Sequence, residues 1–180
     1  MKTLFLLLGT FLFVQTAVFA QNRPLQTRNA LVIAQQNDVS DRYSLEIALI
    51  QMLNAYNVKT KASLNVIKQG GSPLALLSDT LQSKLKEEGI DTYLLVSVRG
   101  YNTKFKFPSK QTSFEEEIKA GHLFPLYRDN TTNVTFTFTF YRNLEPIHTE
   151  LIRVGNVGSK EVVIRKLMKQ VEKKLNKSWL

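Results

Sequence analysis

The apolar positions of this chain recur with two periods, and the switches between them mark its elements. Residues 29–34 (NALVIA) form a short apolar run that predicts a first strand. Ser40 and Asp41 are good helix starters. Leu45, Ala48, Leu49, Met52, Leu53 and Tyr56 then fall on one face of a helix that Asn57 can end. Residues 59–66 alternate: Thr60, Ala62, Leu64 and Val66 share one face, and Lys59, Lys61, Ser63 and Asn65 share the other. That predicts a half-buried strand, with lysines suited to an exposed edge.

Ser72-Pro73 starts a second predicted helix, with Leu74, Leu77, Leu81 and Leu85 as its buried stripe and Gly89 as its stop. Residues 91–101 (DTYLLVSVRGY) follow. Their continuous apolar run predicts a strand buried on both faces, with a helix against each. Residues 100–130 are the least regular part of the chain. Phe114, Ile118, Leu123, Phe124, Leu126 and Tyr127 are expected to pin them to the core as a packed flap.

Residues 134–141 alternate again. Val134, Phe136, Phe138 and Phe140 face one way; Thr135, Thr137, Thr139 and Tyr141 face the other. Asn143 and Pro146 are expected in a turn, and 147–154 return as an antiparallel strand whose weaker alternation suggests a bulge. Ser159 caps a last helix with Ile164, Leu167, Met168, Val171 and Leu175 on its apolar side. The order is βαβαβ–ββα. Helical crossovers make the first half parallel and the hairpin makes the second antiparallel. The prediction is an α/β fold with α+β character in its second half: one mixed sheet with helices packed on it.

The N-terminus changes the setting. Residues 1–20 (MKTLFLLLGTFLFVQTAVFA) carry a basic start at Lys2, an apolar centre, and Val18-Phe19-Ala20 before a cut at Gln21. They read as a secretory signal peptide, followed by a flexible leader over 21–28 and a single α/β domain over 29–180. The expected location is periplasmic or extracellular, in a bacterium. After signal cleavage no transmembrane segment is expected. The chain has no cysteine, so disulfides and thiol chemistry play no part.

The formal net charge is +9, and it is uneven. Residues 21–98 and 129–159 are nearly balanced, whereas 99–128 and 160–180 hold the excess. Localised positive charge attracts anionic partners, or serves only as a solvated face that aids solubility.

Few residues point to reaction chemistry. His122 and His148 lack ligand-type neighbours at useful spacing, apart from Glu150 two residues beyond His148. No serine lies in a nucleophile motif. The acidic run Glu115-Glu116-Glu117 fits the first turn of a short helix after Thr112-Ser113 better than a pair of catalytic carboxylates. Gly70-Gly71-Ser72 opens a helix, as phosphate-binding loops do, without the rest of such a motif. Three N-x-S/T sequons begin at Asn130, Asn133 and Asn176. No cofactor, metal or specific nucleic acid is expected.

The remaining candidate is where the apolar run stops. Arg99, Tyr101, Lys104, Phe105, Lys106 and Phe107 interleave cations with aromatics. That suits a ligand or partner surface for an envelope protein or an anionic polymer. The same alternation also describes a strand end with its aromatics turned inward. The leading function is a non-enzymatic binding protein. The alternatives are a small secreted hydrolase, with Glu115, Glu117 and His122 gathered in space, and a basic-surface binder of anionic polymer or lipid.

The order of elements (strand 30–34, helix 45–56, strand 60–66, helix 73–88, strand 93–98, then hairpin and helix) resembles the N-terminal α/β domain of TolB. It is also similar to the periplasmic domains of lipoprotein activators of penicillin-binding proteins. The chain departs from these in lacking a lipid-bearing cysteine and a propeller. The resemblance implies a non-catalytic envelope module and carries over no site residues.

Overall fold

The strand β3, Thr92–Tyr101, is paired on both sides: parallel to β1, Asn29–Gln35, and antiparallel to β4, Asn133–Arg142. A computed structural model describes residues 25–67, 71–106 and 111–179. The expected signal peptide, the first residues of the leader, Gly70 and Phe107 lie outside the described residues. Beyond β1 lies β2, Lys59–Ala62, and beyond β4 lies β5, Glu145–Gly155. The sheet is five-stranded and mixed, in the order β2-β1-β3-β4-β5.

Alternate residues of β3 feed two cores. Leu94, Val96 and Val98 join Val134, Phe136, Phe138 and Phe140 under two helices. These are α1, Val39–Ala55, and α4, Lys160–Lys174. On the opposite face Leu95 joins Leu31, Ile33 and Tyr141 beneath α2, Asp79–Glu87, and α3, Phe114–Ala120. The α/β fold read from the sequence is the fold observed.

Local chemistry moves several predicted boundaries. Asp38 caps α1 by accepting from the Asp41 N–H at 2.8 Å, so the helix starts before the predicted Ser40 and Asp41. β2 is an edge strand as expected but ends at Ala62 rather than at Val66. The cause is Glu46, a fully buried carboxylate on α1. It accepts from the Ala34 N–H (3.0 Å), the Ser63 hydroxyl (2.5 Å), the Leu64 N–H (3.2 Å) and the Arg42 guanidinium (3.2 Å). These bonds turn the chain out of the sheet into a 3-10 turn over Ser63–Asn65.

The helix predicted from Ser72-Pro73 is two pieces. Ser72 caps a 3-10 turn, Pro73–Leu77, and Ser78 returns to extended backbone before α2. The break rotates the stripe, so Leu76 is buried and the predicted core residue Leu74 is 49% exposed. Gly89 ends α2 with φ +80°, as expected.

The β4–β5 loop is the two residues Asn143 and Leu144, with φ +51° and +65°. Positive φ at both positions matches the tight right-twisted hairpin turn. It is unusual for leucine, and it is held by the Phe114 N–H donating to the Leu144 carbonyl. Pro146 therefore lies in β5, not in the turn. It is tolerated because β5 is the outer strand. The suspected bulge is real: Phe140 pairs with His148 and Tyr141 with Pro146, leaving Ile147 extra. After α4 a wider π turn, Leu175–Trp179, buries the single tryptophan against Phe138 and Phe140.

Candidate functional site

The end of β3 is shaped by a second bulge. Val98 pairs with Phe136 and Gly100 with Thr135, so Arg99 is the extra residue. Bulges re-aim side chains, and Arg99 meets the start of the flap. Its Nε donates to the Thr137 hydroxyl at 2.9 Å, and its Nη2 donates to Glu117 Oε1. Glu117 comes from the first turn of α3. Ser113 and Glu116 form a reciprocal capping box there, and Gly121, with φ +58°, closes the other end.

Glu117 is a buried hub. The Thr112 hydroxyl donates to its Oε2 at 3.0 Å, the Gln35 amide donates to its backbone carbonyl at 3.0 Å, and His122 Nε2 lies 3.7 Å from Oε1. Burial and the Arg99 charge lower the His122 pKa, and Glu117 partly offsets them. Burial pushes the neighbouring Tyr141 phenol up, helped by the Glu117 charge. Of the three residues named for a hydrolase, Glu117 and His122 converge. Glu115 does not: it pairs with Lys119 on the exposed side of α3 at 2.5 Å. Glu117 is bonded on both oxygens, which suits clamping the flap better than accepting a substrate proton.

Tyr101 is also turned inward. Its hydroxyl donates to the Pro125 carbonyl, and its ring meets Phe124 edge-on at 6.3 Å. The Arg128 guanidinium lies 4.7 Å over the Tyr101 ring and 5.6 Å over Phe124. Burial raises the Tyr101 pKa and Arg128 opposes the shift. Phe114, Ile118 and Leu126 are buried, as a packed flap requires, whereas Leu123 is exposed.

Asn102, with φ +56°, turns the chain away from the sheet. Its side-chain oxygen accepts from the Thr132 and Asn133 N–H groups at 2.8 and 3.1 Å. Lys104, Phe105 and Lys106 then face solvent. Phe105 lays its ring over Gly100, where an added Cβ would lie 2.4 Å from ring carbon. The structure thus divides the segment: Arg99 and Tyr101 fasten the flap, and Lys104 to Lys106 stand out from it.

The second basic region is α4 and the turn after it. Lys160 donates to the buried Asp41 carboxylate at 2.6 Å, and Lys174 to Glu150 at 2.8 Å. His148 Nε2 lies 3.6 Å from the other oxygen of Glu150. Among the described residues, no group of three or more His, Cys, Asp or Glu side chains is placed to hold a metal ion. Arg165, Lys169 and Lys173 recur at every fourth position and are exposed, and exposed Lys177 follows in the π turn. Like charges four apart on a helix cost about 0.2–0.5 kcal/mol a pair. The spacing is plain in the sequence.

Lys166 bends back to donate to the Gly155 and Asn156 carbonyls at 3.0 and 2.9 Å. Beside it runs a groove of about 590 Å³, lined by Lys166, Lys169 and Lys173 with Val154, Gly155, Gln170 and Asn176, and with Glu172 its one acid. A second cleft of about 710 Å³ lies between α2 and the β4–β5 turn, around Tyr93, Tyr141 and Arg142. Among the described residues no helix is long and apolar enough to cross a membrane.

No protein-family model and no curated protein matches this chain. Among solved structures, a PelC dodecamer from Paraburkholderia phytofirmans overlaps at 13% identity and a TM-score of 0.45, covering 83% of this chain and 88% of that one. A lipoprotein from Neisseria meningitidis overlaps at 14% identity and a TM-score of 0.46, covering 84% and 99%. A competence-damaged (CinA) superfamily protein from Enterobacter cloacae overlaps at 14% identity and a TM-score of 0.32, covering 83% and 82%. Overlaps this loose carry nothing about what this chain binds or does.

Proposed function

We propose that this chain is an exported binding protein of the bacterial cell envelope. It holds an anionic partner on a positively charged surface and carries out no covalent chemistry. The observation that carries this reading is how its charges are spent. Among the described residues, Glu46, Glu88, Glu115, Glu117 and Glu150 are each paired with Arg or Lys, and Asp41 with Lys160. Lys104, Lys106, Arg165, Lys169, Lys173 and Lys177 are in solvent and share in no such pair. Exposed acids, Glu161 and Glu172 on α4 among them, offset part of this charge, and the positive excess that remains faces solvent, where it attracts anions over a distance set by salt.

The export signal read at residues 1–20 supplies the setting. The TolB-like and activator-like order of elements supports a module that binds rather than reacts. The partner surface expected at Arg99 to Phe107 narrows to Lys104, Phe105 and Lys106, with Arg99 and Tyr101 as its fastening. The test is retention on a sulfated-dextran column with an uncharged dextran column as control. The reading expects retention on the first alone and release by salt. Flow-through on both columns at low salt contradicts it.

A further inference from the structure

We infer that the groove along α4 is a binding track for an acidic oligosaccharide, a linear chain with one carboxylate per sugar. This rests on the proposed function and names its ligand class. Residues four apart on a helix rise about 6 Å together. Arg165, Lys169 and Lys173 therefore set a row of cations at regular intervals along the helix axis. A linear polymer with its charge on every monomer meets such a row in register. A compact anion meets one member of it.

The groove adds what a bare row of lysines lacks. It is a concavity of about 590 Å³ with Lys169 and Lys173 on its wall, in the size range of small-ligand sites. Gln170 and Asn176 also line it, and an amide both donates to and accepts from a sugar hydroxyl. Lys166, which lines the groove, is tied to the Gly155 and Asn156 carbonyls and so is held in place. The π turn, Leu175–Trp179, displaces Asn176 and Lys177 from the regular helix path at the groove's end, and such turns cluster at functional sites.

An anionic membrane is the competing partner. A helix that lies on a membrane surrounds its cations with exposed apolar groups that enter the lipid. Among the described residues, the exposed large apolar side chains, Val39, Tyr43, Leu74, Phe105, Leu123 and Ile147, are all on other elements. Besides its lysines the groove is lined by Val154, Gly155, Gln170, Glu172 and Asn176, and Val154, its one large apolar side chain, is buried. A hydrophilic polymer fits that surface and a bilayer does not.

The test titrates the full mature chain with labelled oligogalacturonate, with single-stranded oligothymidylate as a phosphate polymer, and with vesicles containing anionic lipid. Two variants with equal charge loss are compared: Lys169→Gln with Lys173→Gln on α4, and Lys84→Gln with Lys86→Gln at the end of α2. Each charge contacted contributes about −0.7 to the slope of log affinity against log salt for a flexible polymer. The α4 variant should lose about 1.4 of that slope and about tenfold or more in affinity for oligogalacturonate, with the α2 variant near wild type. Equal losses in both variants, or tighter binding to oligothymidylate or vesicles than to oligogalacturonate, overturns the carboxylate track while leaving the proposed function standing. No binding to any of the three probes at low salt overturns both. Unchanged thermal unfolding shows that the exposed substitutions leave the fold intact.

Discussion

Arg99 on β3 donates to Glu117 on α3, and this pair joins the bulged end of the central strand to the flap that covers it. Both side chains are largely buried, at 18% and 5% exposure. Removing one partner of such a pair leaves a charge without compensation, which is worth about 3–5 kcal/mol in a fully buried site. Allowing for the exposure of Arg99, Glu117→Ala should lower unfolding free energy by about 2–4 kcal/mol in urea. Hydrogen exchange should rise over residues 111–128 before it rises in β1. A change under half a kcal/mol would mean that the pair does not hold the flap.

His122 gives the clamp a pH dependence. Its folded pKa is lowered by burial and by Arg99. Below about 6.5, its ordinary value, the unfolded chain takes up a proton that the folded chain resists. The stability contributed is present above that value and is lost as pH falls through the folded pKa. Between pH 7 and 5, wild type should therefore lose more stability than His122→Gln. Equal or smaller losses in wild type would contradict the sign.

Gly100 is fitted to Phe105. A methyl group at Gly100 would lie 2.4 Å from the ring, so Gly100→Ala must expel it. The expected cost is about 1–3 kcal/mol, with faster proteolysis near Lys104 and Lys106. Adding Phe105→Ala should relieve part of that cost. A double variant no more stable than the single one would show that the ring is not the obstacle.

Trp179 reports on the C-terminal seal. It is buried at 1% exposure between α4 and β4, 4.9 Å from the Phe140 ring. Its fluorescence should be blue-shifted in the folded state and should move red in one step with loss of helical signal. Trp179→Ala should cost about 3–5 kcal/mol. A red emission in native buffer would contradict the packing.

The strands, the two-sided burial of β3 and the mixed sheet were legible because period and turn chemistry agree there with tertiary contacts. Most of the misses come from a polar group acting at a distance in sequence, and one from a local break in the backbone. Buried Glu46 ends β2 at a point where alternation alone runs on to Val66. Ser78 splits a stretch whose leucine spacing suits one continuous helix. Arg99 and Tyr101 sit in an alternating basic and aromatic pattern, but a one-residue bulge and the Pro125 carbonyl turn them inward. Glu117 looked like one of three equivalent glutamates, and only the approach of β3 to α3 singles it out. The cations of α4 were visible in sequence. Their groove was not, because it needs Gly155 of β5 beside the helix.

The most direct measurement of the central claim is the salt dependence of binding to a labelled linear polyanion. A surface that uses about four unpaired cations should show a log–log slope near −3, or roughly a fiftyfold loss of affinity between ~50 and ~200 mM salt. A slope near zero, or no binding at the lower salt, would contradict the account of this protein as an envelope binder of anionic partners.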